Sequence, residues 1–342
     1  MRLLVLGGTG FVGRSVVDVA VARGDDVTVL NRGQRPAIAG ATALVGDRRT
    51  PDGLAALGRD EWDVVVDTWD AEPYVVRDAA AALADRVGRY GYVSSRSVYD
   101  FEAATVYMNE NGKVVDASPD AGAAGEEVAY AQAKRGGELA AVAVFGDRAL
   151  LARAGLILGP YEDIGRLPWW LNRIARGGDV LAPGPRDLKL QYIAARDLAI
   201  WMLDAAAAGV GGAFNVVSEP GHTTMGDLLD TCVRVTSSDA RLRWTDPSVI
   251  LDAGVEPWTE LPIWLPPTSE YQFLHAGDVS RAMAAGLRCR PVTDTVTDTW
   301  AWLQSLGGGA TLRTDRPAPG LDPDVEARIL AGVIRDQPVP GA

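Results

Sequence analysis

The sequence predicts an α/β protein with a doubly wound parallel sheet and a smaller carboxyl-terminal lobe. Through the first 160 residues, short β-branched and leucine-rich runs alternate with longer alanine-rich stretches, as they do in the crossover units of a parallel sheet. The runs "LLVL" at 3–6 and "VVV" at 64–66 are apolar throughout, which is typical of strands covered on both faces. A glycine-rich turn, "GGTGFVG" at 7–13, directly follows the first run.

The predicted elements continue in chain order. Strands are expected at "RLLVLG", "DVTVLN", "TALVG", "DVVVDT", "RYGYVSS" and "ALLARAGLI", with helices at 11–23, 52–59, 73–86 and 126–145. After 158–160 prolines and tryptophans become frequent, although "LQYIAARDLAIWMLDAA" (190–206) and "GAFNVVS" (212–218) are typical of a return to the sheet. "TDTVTDTWAWLQSL" predicts a last long helix, and 323–335 predicts a short one.

These patterns divide the chain into three parts. Residues 1–160 plus about 190–218 are predicted to form a dinucleotide-binding domain of the Rossmann type, because its fingerprint turn lies there. Residues 161–189 plus 219–305 are predicted to form a substrate-binding lobe. Residues 306–342 are predicted to be a surface tail, because the chain from 307 opens with "GGGA" and carries five prolines.

Composition excludes several classes of partner. The net charge of −12 and the isoelectric point near 4.7 disfavour a nucleic acid, which needs a broad positive face. No run of about 18 apolar residues is present to cross a membrane, and the amino terminus reads as a strand and not as a signal peptide. The chain is therefore expected to act on a small molecule.

Cysteine and histidine usage points to a reducing compartment without a structural metal. Cys232 and Cys289 lie far apart without CxxC spacing, so buried thiols are favoured over a disulfide. His222 and His275 have no ligand-like neighbours in the sequence. These observations favour the cytoplasm and make a zinc site improbable.

The glycine turn has the context that a dinucleotide fingerprint requires. Gly7, Gly10 and Gly13 follow a predicted strand and open a predicted helix, where glycines permit a tight turn, close approach to a pyrophosphate and helix–strand packing. A P-loop is the less favoured alternative, because Arg14 stands where a lysine must reach the phosphates. A glycine turn that binds no ligand is the third alternative.

The end of the second strand favours NADP(H) over NAD(H). A cofactor without a 2′-phosphate is usually held by a carboxylate there, whereas this chain has Asn31, Arg32 and Arg35. Guanidinium groups grip a phosphate, and a carboxylate would repel it. Asp47, which ends the third strand, is assigned either to the adenine amine or to a simple turn.

Tyr130 and Lys134 lie four positions apart in "YAQAK", so on a helix they share one face. The pair alone leaves two readings open, a phenol tuned by an ammonium or an ordinary amphipathic surface. Ser94 and Ser95 follow the fifth strand, at the edge where ligands bind to α/β sheets.

Together these pieces resemble the short-chain dehydrogenase/reductase superfamily, in particular its extended, epimerase/dehydratase-like branch. The matching motifs are "GGTGFVG", "YVSSRSVY", "YAQAK", "RAGLILGP" and "QYIAARDLA", in that order over residues 1 to about 220. The resemblance implies that Tyr130 is the general acid or base, that Lys134 binds the nicotinamide ribose and activates the phenol, and that Ser95 holds the substrate oxygen. Ser94 is the fallback for Ser95.

The predicted site residues fall into two groups. The cofactor is assigned to Gly7, Gly10, Phe11, Val12, Gly13, Asn31, Arg32, Arg35, Asp47, Arg48, Thr68, Lys134, Ala154 and Gly155. The substrate pocket is assigned to Trp69, Arg96, Tyr161, Trp169 and Trp170, with core packing as the alternative for each aromatic.

Three departures from the family pattern qualify the resemblance. The spacing from Ser95 to Tyr130 is wider, which predicts a substrate-side loop within 101–120. Arg96 and Ser97 stand where dehydratases of this branch carry an Asp-Glu pair, so sugar-nucleotide dehydration is disfavoured. Ala154 replaces a proline usual in the loop beside nicotinamide.

The function predicted from the sequence is reduction of a ketone or aldehyde of a small, aromatic or apolar metabolite with NADP(H). A nucleotide-sugar epimerase with tightly bound NAD(P) is the alternative, and its diphosphate would be met by basic residues at 166, 173, 176, 186 and 189. A non-catalytic dinucleotide sensor or scaffold is the second alternative. The resemblance also implies a homodimer through 126–145 and 73–86.

Overall fold

The computed structural model describes residues 1–102 and 107–336. The chain divides into two compact units. Unit 1 comprises Met1–Ile157, Ile193–Ser218 and Gly277–Cys289, and unit 2 comprises Leu158–Tyr192, Glu219–Ala276 and the described residues from Arg290 onwards. The functional division into a dinucleotide domain, a substrate lobe and a tail remains a prediction.

The strands of the described residues follow the alternating pattern of the sequence. In chain order they are β1 (Arg2–Leu6), β2 (Asp26–Asn31), β3 (Ala41–Val45), β4 (Trp62–Asp67), β5 (Val87–Ser95), β6 (Ala149–Ala154), β7 (Leu156–Leu158), β8 (Asp179–Pro183), β9 (Lys189–Leu190), β10 (Tyr192–Ala194), β11 (Gly212–Val216), β12 (Thr223–Thr224) and β13 (Arg241–Thr245).

The α-helices connect many of these strands up to β13, and in the described part of the chain five further helices follow β13. In chain order the helices are α1 (Phe11–Ala22), α2 (Pro73–Leu83), α3 (Tyr130–Phe145), α4 (Arg166–Ala175), α5 (Ala195–Ala207), α6 (Met225–Thr236), α7 (Pro247–Asp252), α8 (Ser269–His275), α9 (Ser280–Ala284), α10 (Val292–Ser305) and α11 (Pro323–Asp336).

Unit 1 is built on one seven-stranded sheet with the order β11-β6-β5-β4-β1-β2-β3, and every pairing in it is parallel. Side chains alternate between its faces, since Leu3 and Val5 join one apolar cluster while Leu4 and Leu6 join another. α1 and α5 cover the first face, and α2 and α3 cover the second. The predicted doubly wound parallel sheet is confirmed.

Three predicted helices are at least three residues shorter in the structure, and the one expected at 73–86 ends at Leu83. The stretch 52–59 forms only a 3₁₀ turn, Ala55–Leu57, and it follows a close approach of Gly53 to the Asp47 carbonyl oxygen, where a Cβ would lie 1.8 Å away. The helix expected from 126 begins at Tyr130. Before it, the Glu126 carboxylate accepts the backbone N–H groups of Gly122 and Ala124, which holds the chain in a turn.

Unit 2 contains two small sheets, β8 paired in parallel with β13 and β9 paired antiparallel with β12. The helix predicted at 323–335 is present as α11, and it is tied to this unit by Glu326. That carboxylate accepts from Arg173 Nε at 2.7 Å and from Leu181 N at 3.1 Å. Among the described residues, no helix is both long and apolar enough to cross a membrane.

Candidate active site

The glycine turn lies at the carboxyl edge of the unit 1 sheet, beside the point where the strand order reverses. β1 is flanked by β2 on one side and by β4 on the other. Gly7 has a φ of +95°, and its N–H donates to Leu30 O at 3.0 Å. Thr68, which follows β4, donates from Oγ1 to Leu6 O at 3.1 Å. Ligands of open α/β sheets bind at such a switch point.

The geometry of the turn fits a dinucleotide pyrophosphate. A Cβ on Gly13 would lie 2.3 Å from Gly7 O, and a Cβ on Gly7 would lie 2.5 Å from Thr68 Oγ1, so both positions require glycine. A Cβ on Gly10 would meet only Arg35 Nη1, at 3.8 Å, which leaves room for a ligand to approach. α1 has no acidic residue in its first turn, and its amino-terminal N–H groups and dipole favour an anion.

The loop after β2 places a guanidinium group beside the glycine turn. Arg35 Nη1 donates to Thr9 O at 2.8 Å while the side chain remains exposed. Asn31 Oδ1 accepts from Gly33 N at 2.7 Å, so this side chain shapes the loop. Arg32 is exposed on the same loop. An anionic group bound at the end of β2 would therefore meet arginine and amide side chains.

Asp47 and Arg48, both assigned to the cofactor from the sequence, serve the local structure. Asp47 Oδ1 accepts from Arg49 N at 3.1 Å, as expected for an aspartate that stabilises a turn. The Arg48 side chain is 5% exposed, and it donates to both carboxylate oxygens of Asp67 at 2.7 Å each. Because this bidentate pair occupies the guanidinium, we leave Arg48 out of the proposed cofactor site.

Asp67, the last residue of β4, is a buried centre of hydrogen bonding. Besides Arg48, its carboxylate accepts from Tyr90 Oη and, at 2.9 Å, from Trp69 N. Burial by itself would raise the pKa of Asp67, but the charge and hydrogen bonds of Arg48 outweigh it and lower the pKa. Asp67 thus stays ionised and holds the turn that follows β4.

Trp69 lies in that turn, partly buried, with its side chain fixed by its neighbours. Its Nε1 donates to Glu72 O at 3.0 Å. The guanidinium carbons of Arg48 and Arg49 lie 5.3 and 5.1 Å from its ring centroids, as in cation–π pairs. The role of Trp69 in a substrate pocket remains a prediction.

Tyr130 and Lys134 lie one helical turn apart at the start of α3. Tyr130 is the first residue of the helix and is 47% exposed, whereas Lys134 is 3% exposed. Lys134 Nζ donates to Trp69 O and to Val93 O, at 2.7 Å in each case. The lysine is therefore not a solvated surface residue, and its ammonium group lies where β4 and β5 end.

The two serines of β5 point to different environments. Ser94 is 2% exposed, and its Oγ donates to Glu138 Oε1 at 2.7 Å. Ser95 is partly exposed, and its Oγ accepts from Ser97 N at 3.1 Å. Ser95 Oγ also donates to Ser97 Oγ at 3.1 Å, so both serines have partners and Ser95 differs from Ser94 in its exposure. The choice of Ser95 as the serine that meets a ligand remains a prediction.

Glu138, one turn beyond Lys134 on α3, holds α3 against β6. It is fully buried and accepts from Arg153 Nε at 2.8 Å and Nη2 at 2.9 Å. Burial alone would lower the pKa of Arg153, but the hydrogen bonds and charge of Glu138 raise it. Arg153 also donates to Tyr99 Oη at 3.2 Å, so α3, β6 and the chain after β5 share one buried network.

This network extends to the insertion predicted within 101–120, of which residues 103–106 lie outside the described chain. Tyr99 Oη donates to Asn215 Oδ1 at 2.7 Å. Asn215 in turn donates from Nδ2 to Met108 O at 3.2 Å and from its backbone N–H to Glu110 Oε1 at 2.7 Å. The described end of the insertion is therefore bonded to β11. Its predicted role beside the substrate remains a prediction.

Arg96 follows Ser95 and is 4% exposed. Burial lowers the pKa of Arg96 to about 10. A Cβ on Gly277 would lie 2.1 Å from Arg96 Nη2, so the guanidinium packs against the backbone of this glycine. Any larger residue at position 277 would displace the guanidinium. A substrate contact by Arg96 remains a prediction.

The other residues assigned to the cofactor lie at strand and helix ends. Ala154 ends β6 and is 3% exposed. Gly155 N donates to Val216 O at 3.3 Å. Phe11 is buried at the start of α1, and Val12 is partly buried. At the helix start, backbone N–H groups rather than side chains would serve an anion.

The remaining predicted pocket residues belong to unit 2. Tyr161 has a φ of +68° and lies edge-on to Trp302, with ring centroids 5.8 Å apart. Trp170 is fully buried and donates from Nε1 to Pro262 O at 2.7 Å. These contacts favour core packing over a role in the substrate pocket. Trp169 packs edge-on against it at 4.7 Å and is partly exposed.

Sequence reasoning missed the side chains that support the site. Glu138 follows Lys134 by four residues, so helical spacing could have predicted that it shares the buried face. Asp67 ends an apolar strand at the ligand edge, which is also a readable signal. Tyr92 has no such signal, because its contacts with α3 depend on how the helix packs on the sheet.

Comparison with known families agrees with this geometry. The model of the NAD dependent epimerase/dehydratase family matches residues 3–217, a stretch that includes the glycine turn, Ser95, Tyr130 and Lys134. The chain belongs to the NAD dependent epimerase/dehydratase family, an enzyme family of the short-chain dehydrogenase/reductase type. The resemblance to the extended branch is confirmed. No curated protein sequence matches the chain significantly.

Solved structures share the fold at low sequence identity. A protein of Burkholderia cenocepacia J2315 aligns with a TM-score of 0.65 at 22% identity, over 89% of this chain and 98% of its own. The Bordetella bronchiseptica enzyme WbmH, solved with NAD⁺, gives 0.65 at 16% identity, over 90% and 99%. The UDP-N-acetylglucosamine 4-epimerase of Methanobrevibacter ruminantium M1, solved with UDP-N-acetylmuramic acid, gives 0.62 at 17%, over 89% and 98%.

Proposed function

We propose that this protein is an NADP(H)-dependent oxidoreductase that reduces a ketone or aldehyde of a small aromatic or apolar metabolite. The observation that carries the proposal is the anchoring of Lys134 between the carbonyl oxygens of Trp69 and Val93, one helical turn after Tyr130. A buried ammonium one turn from a half-exposed phenol favours the phenolate. A phenol tuned in this way can exchange a proton with a substrate oxygen near neutral pH.

The cofactor would be held by residues of unit 1. The open approach at Gly10 and the amino terminus of α1 suit its pyrophosphate. Arg35 and Arg32 suit a 2′-phosphate, because guanidinium groups pair with phosphate in a planar fork. Lys134 would donate to the nicotinamide ribose, as the family resemblance implies.

Three side chains would carry the reaction at the substrate oxygen. The bound cofactor supplies a hydride to the carbonyl carbon. Tyr130 donates its phenolic proton to the carbonyl oxygen, so an alcohol forms and a phenolate remains on the tyrosine. Ser95 Oγ holds that oxygen by a hydrogen bond, and the Lys134 ammonium stabilises the phenolate until solvent returns the proton.

A nucleotide-sugar epimerase is the second candidate. The family description and the neighbours solved with NAD⁺ or a UDP-linked ligand favour it. Tyr130 would then remove and return the proton of one hydroxyl group, and the retained NAD(P) would take up and return the hydride from the carbon that bears it. Of the basic residues assigned to a diphosphate, Arg173 already forms a buried ion pair with Glu326 and does not meet a ligand. Arg176 and Lys189 are exposed.

One experiment separates the candidates. Nucleotide released from the purified protein by denaturation is identified by mass, and the protein is then assayed with NADPH and a panel of carbonyl compounds, and with UDP-sugars without added cofactor. Oxidation of NADPH by a carbonyl compound is the expected result. Co-purified NAD with interconversion of UDP-sugars, and no NADPH oxidation, would replace the reductase by the epimerase.

A further inference from the structure

We propose that Tyr92 is a positioning residue for Lys134, holding its ammonium group through the face of the ring and through the shared carbonyl oxygen of Trp69. The inference rests on the proposed function, in which Lys134 supports Tyr130. It adds a residue of β5 to the machinery, one that neither donates a proton nor touches the substrate.

The first line of evidence is the position of the ring. Tyr92 is fully buried, and its ring centroid lies 4.9 Å from Lys134 Nζ. A cation is attracted to the negative face of an aromatic ring, and more strongly when both groups are withdrawn from water. Because Lys134 is itself 3% exposed, the ring supplies part of the stabilisation that water would give to an exposed ammonium.

The second line of evidence is the shared acceptor. Tyr92 Oη donates to Trp69 O at 3.0 Å, and Lys134 Nζ donates to the same oxygen at 2.7 Å. A carbonyl oxygen can accept two hydrogen bonds, so the phenol and the ammonium are fixed relative to one another through one atom. Asp67 holds the other side of this peptide segment by accepting from Trp69 N.

The third line of evidence is the room that α3 leaves for this phenol. A Cβ on Gly137 would lie 2.4 Å from Tyr92 Oη, so the helix has a glycine where the tyrosine hydroxyl approaches. Burial raises the pKa of Tyr92 well above its usual range. The phenol therefore keeps its proton and remains a donor to Trp69 O, which distinguishes it from the half-exposed Tyr130.

The test compares Tyr92→Leu, which removes ring and hydroxyl, with Tyr92→Phe, which keeps the ring face. Phe145→Leu is the matched control, because Phe145 belongs to the same apolar cluster as Tyr92 and lies about three turns after Lys134 on α3. NADPH affinity is measured by fluorescence titration, and the pH–rate profile is measured with the carbonyl substrate found in the panel. Melting temperatures show which variants fold.

Tyr92→Leu is expected to weaken NADPH binding about 3- to 10-fold, to lower kcat about 10- to 100-fold, and to shift the alkaline limb of the reduction profile upward by about one pH unit. Tyr92→Phe should restore affinity and kcat to within about threefold, and Phe145→Leu should leave the profile unshifted. Should Tyr92→Leu not fold, Tyr92→Met replaces it with the same expected changes.

Wild-type NADPH affinity and an unshifted profile in folded Tyr92→Leu would overturn the proposal, and so would equal losses in Tyr92→Leu and Phe145→Leu without a pH shift. The proposed function fails separately. If Tyr130→Phe keeps wild-type turnover, the acid role of Tyr130 is wrong whatever Tyr92 does, whereas the effect on NADPH affinity still reports on the position of Lys134.

Discussion

Lys134 Nζ lies 2.7 Å from the carbonyl oxygen of Trp69, which joins the start of α3 to the turn that follows β4. The two residues are far apart in sequence, yet this contact places the ammonium group where β4 and β5 end, at the ligand-binding edge of the sheet. A buried lysine is costly unless its charge is satisfied, so a lysine held in this way at a ligand-binding edge favours a functional role.

Replacement of Lys134 by Met should remove that charge while keeping a similar volume. We expect kcat to fall at least about 100-fold, because the phenolate of Tyr130 loses the ammonium group one helical turn away, and NADPH binding to weaken because the proposed ribose contact is lost. Steady-state kinetics and a binding titration measure both. Val142→Met on the exposed side of α3 is the control, and equal kinetics in the two variants would refute the role of Lys134.

Cofactor choice should depend on Arg35. The substitution Arg35→Glu reverses the charge of this side chain and is expected to raise the KM for NADPH about 10- to 100-fold, because the carboxylate would repel a 2′-phosphate. The KM for NADH should change much less. The ratio of kcat/KM for the two cofactors is the measurement. Arg59→Glu makes the same charge change on another exposed loop, and an identical ratio in both variants would contradict the assignment.

The Arg48–Asp67 pair should matter chiefly for stability. In Asp67→Asn, Arg48 stays buried without its counter-charge, so we expect the free energy of unfolding to fall by about 3–5 kcal/mol. Denaturant unfolding measures it. Asp204→Asn, which breaks the exposed pair with Arg23, should cost less than about 1 kcal/mol. Similar losses of unfolding free energy in the two variants would show that the buried pair stabilises the protein no more than the exposed one.

Glu162 predicts a pH dependence of stability in unit 2. Its carboxylate caps α4 by accepting from Arg166 N at 2.7 Å and Leu167 N at 3.3 Å, and burial raises its pKa to about 7. Since the unfolded group titrates near 4.3, the folded state holds the proton more tightly between these values. Stability from this group therefore falls as pH rises from about 4 to 7, by at most about 4 kcal/mol, and then levels off.

Glu162→Gln should flatten that part of the stability curve, because the amide does not titrate. Unfolding free energies measured at pH 5 and pH 8 give the difference for each variant. Glu61→Gln on the exposed surface is the control. A wild-type difference between the two pH values in Glu162→Gln would rule out Glu162 as its source.

The sheet and the glycine turn after β1 were predictable because their signals are local. Alternation of apolar runs and the glycines after β1 depend on backbone geometry within a few residues, and the Tyr130–Lys134 spacing is a property of one helix. The start of α3 was not predictable, since it depends on Glu126 accepting the N–H groups of Gly122 and Ala124. That late start makes Tyr130 the first helical residue.

The support around the site could not be predicted from local signals. Asp67 meets Arg48, 19 residues away, and Lys134 meets Trp69, 65 residues away. Such contacts depend on which strands become neighbours and on the register between them. Arg48 illustrates this limit. The sequence shows only a basic residue near the ligand-binding edge, and it does not distinguish a cofactor contact from a buried ion pair with Asp67.

The most direct test of the account is the turnover of Tyr130→Phe, measured together with its affinity for NADPH. The account predicts loss of at least about 1,000-fold in kcat with nearly unchanged cofactor binding, because only the transferable proton is removed. Turnover equal to that of the wild type would contradict the acid role of Tyr130. A wild-type protein that binds NADPH but turns over no carbonyl compound and no UDP-sugar would instead favour a dinucleotide sensor.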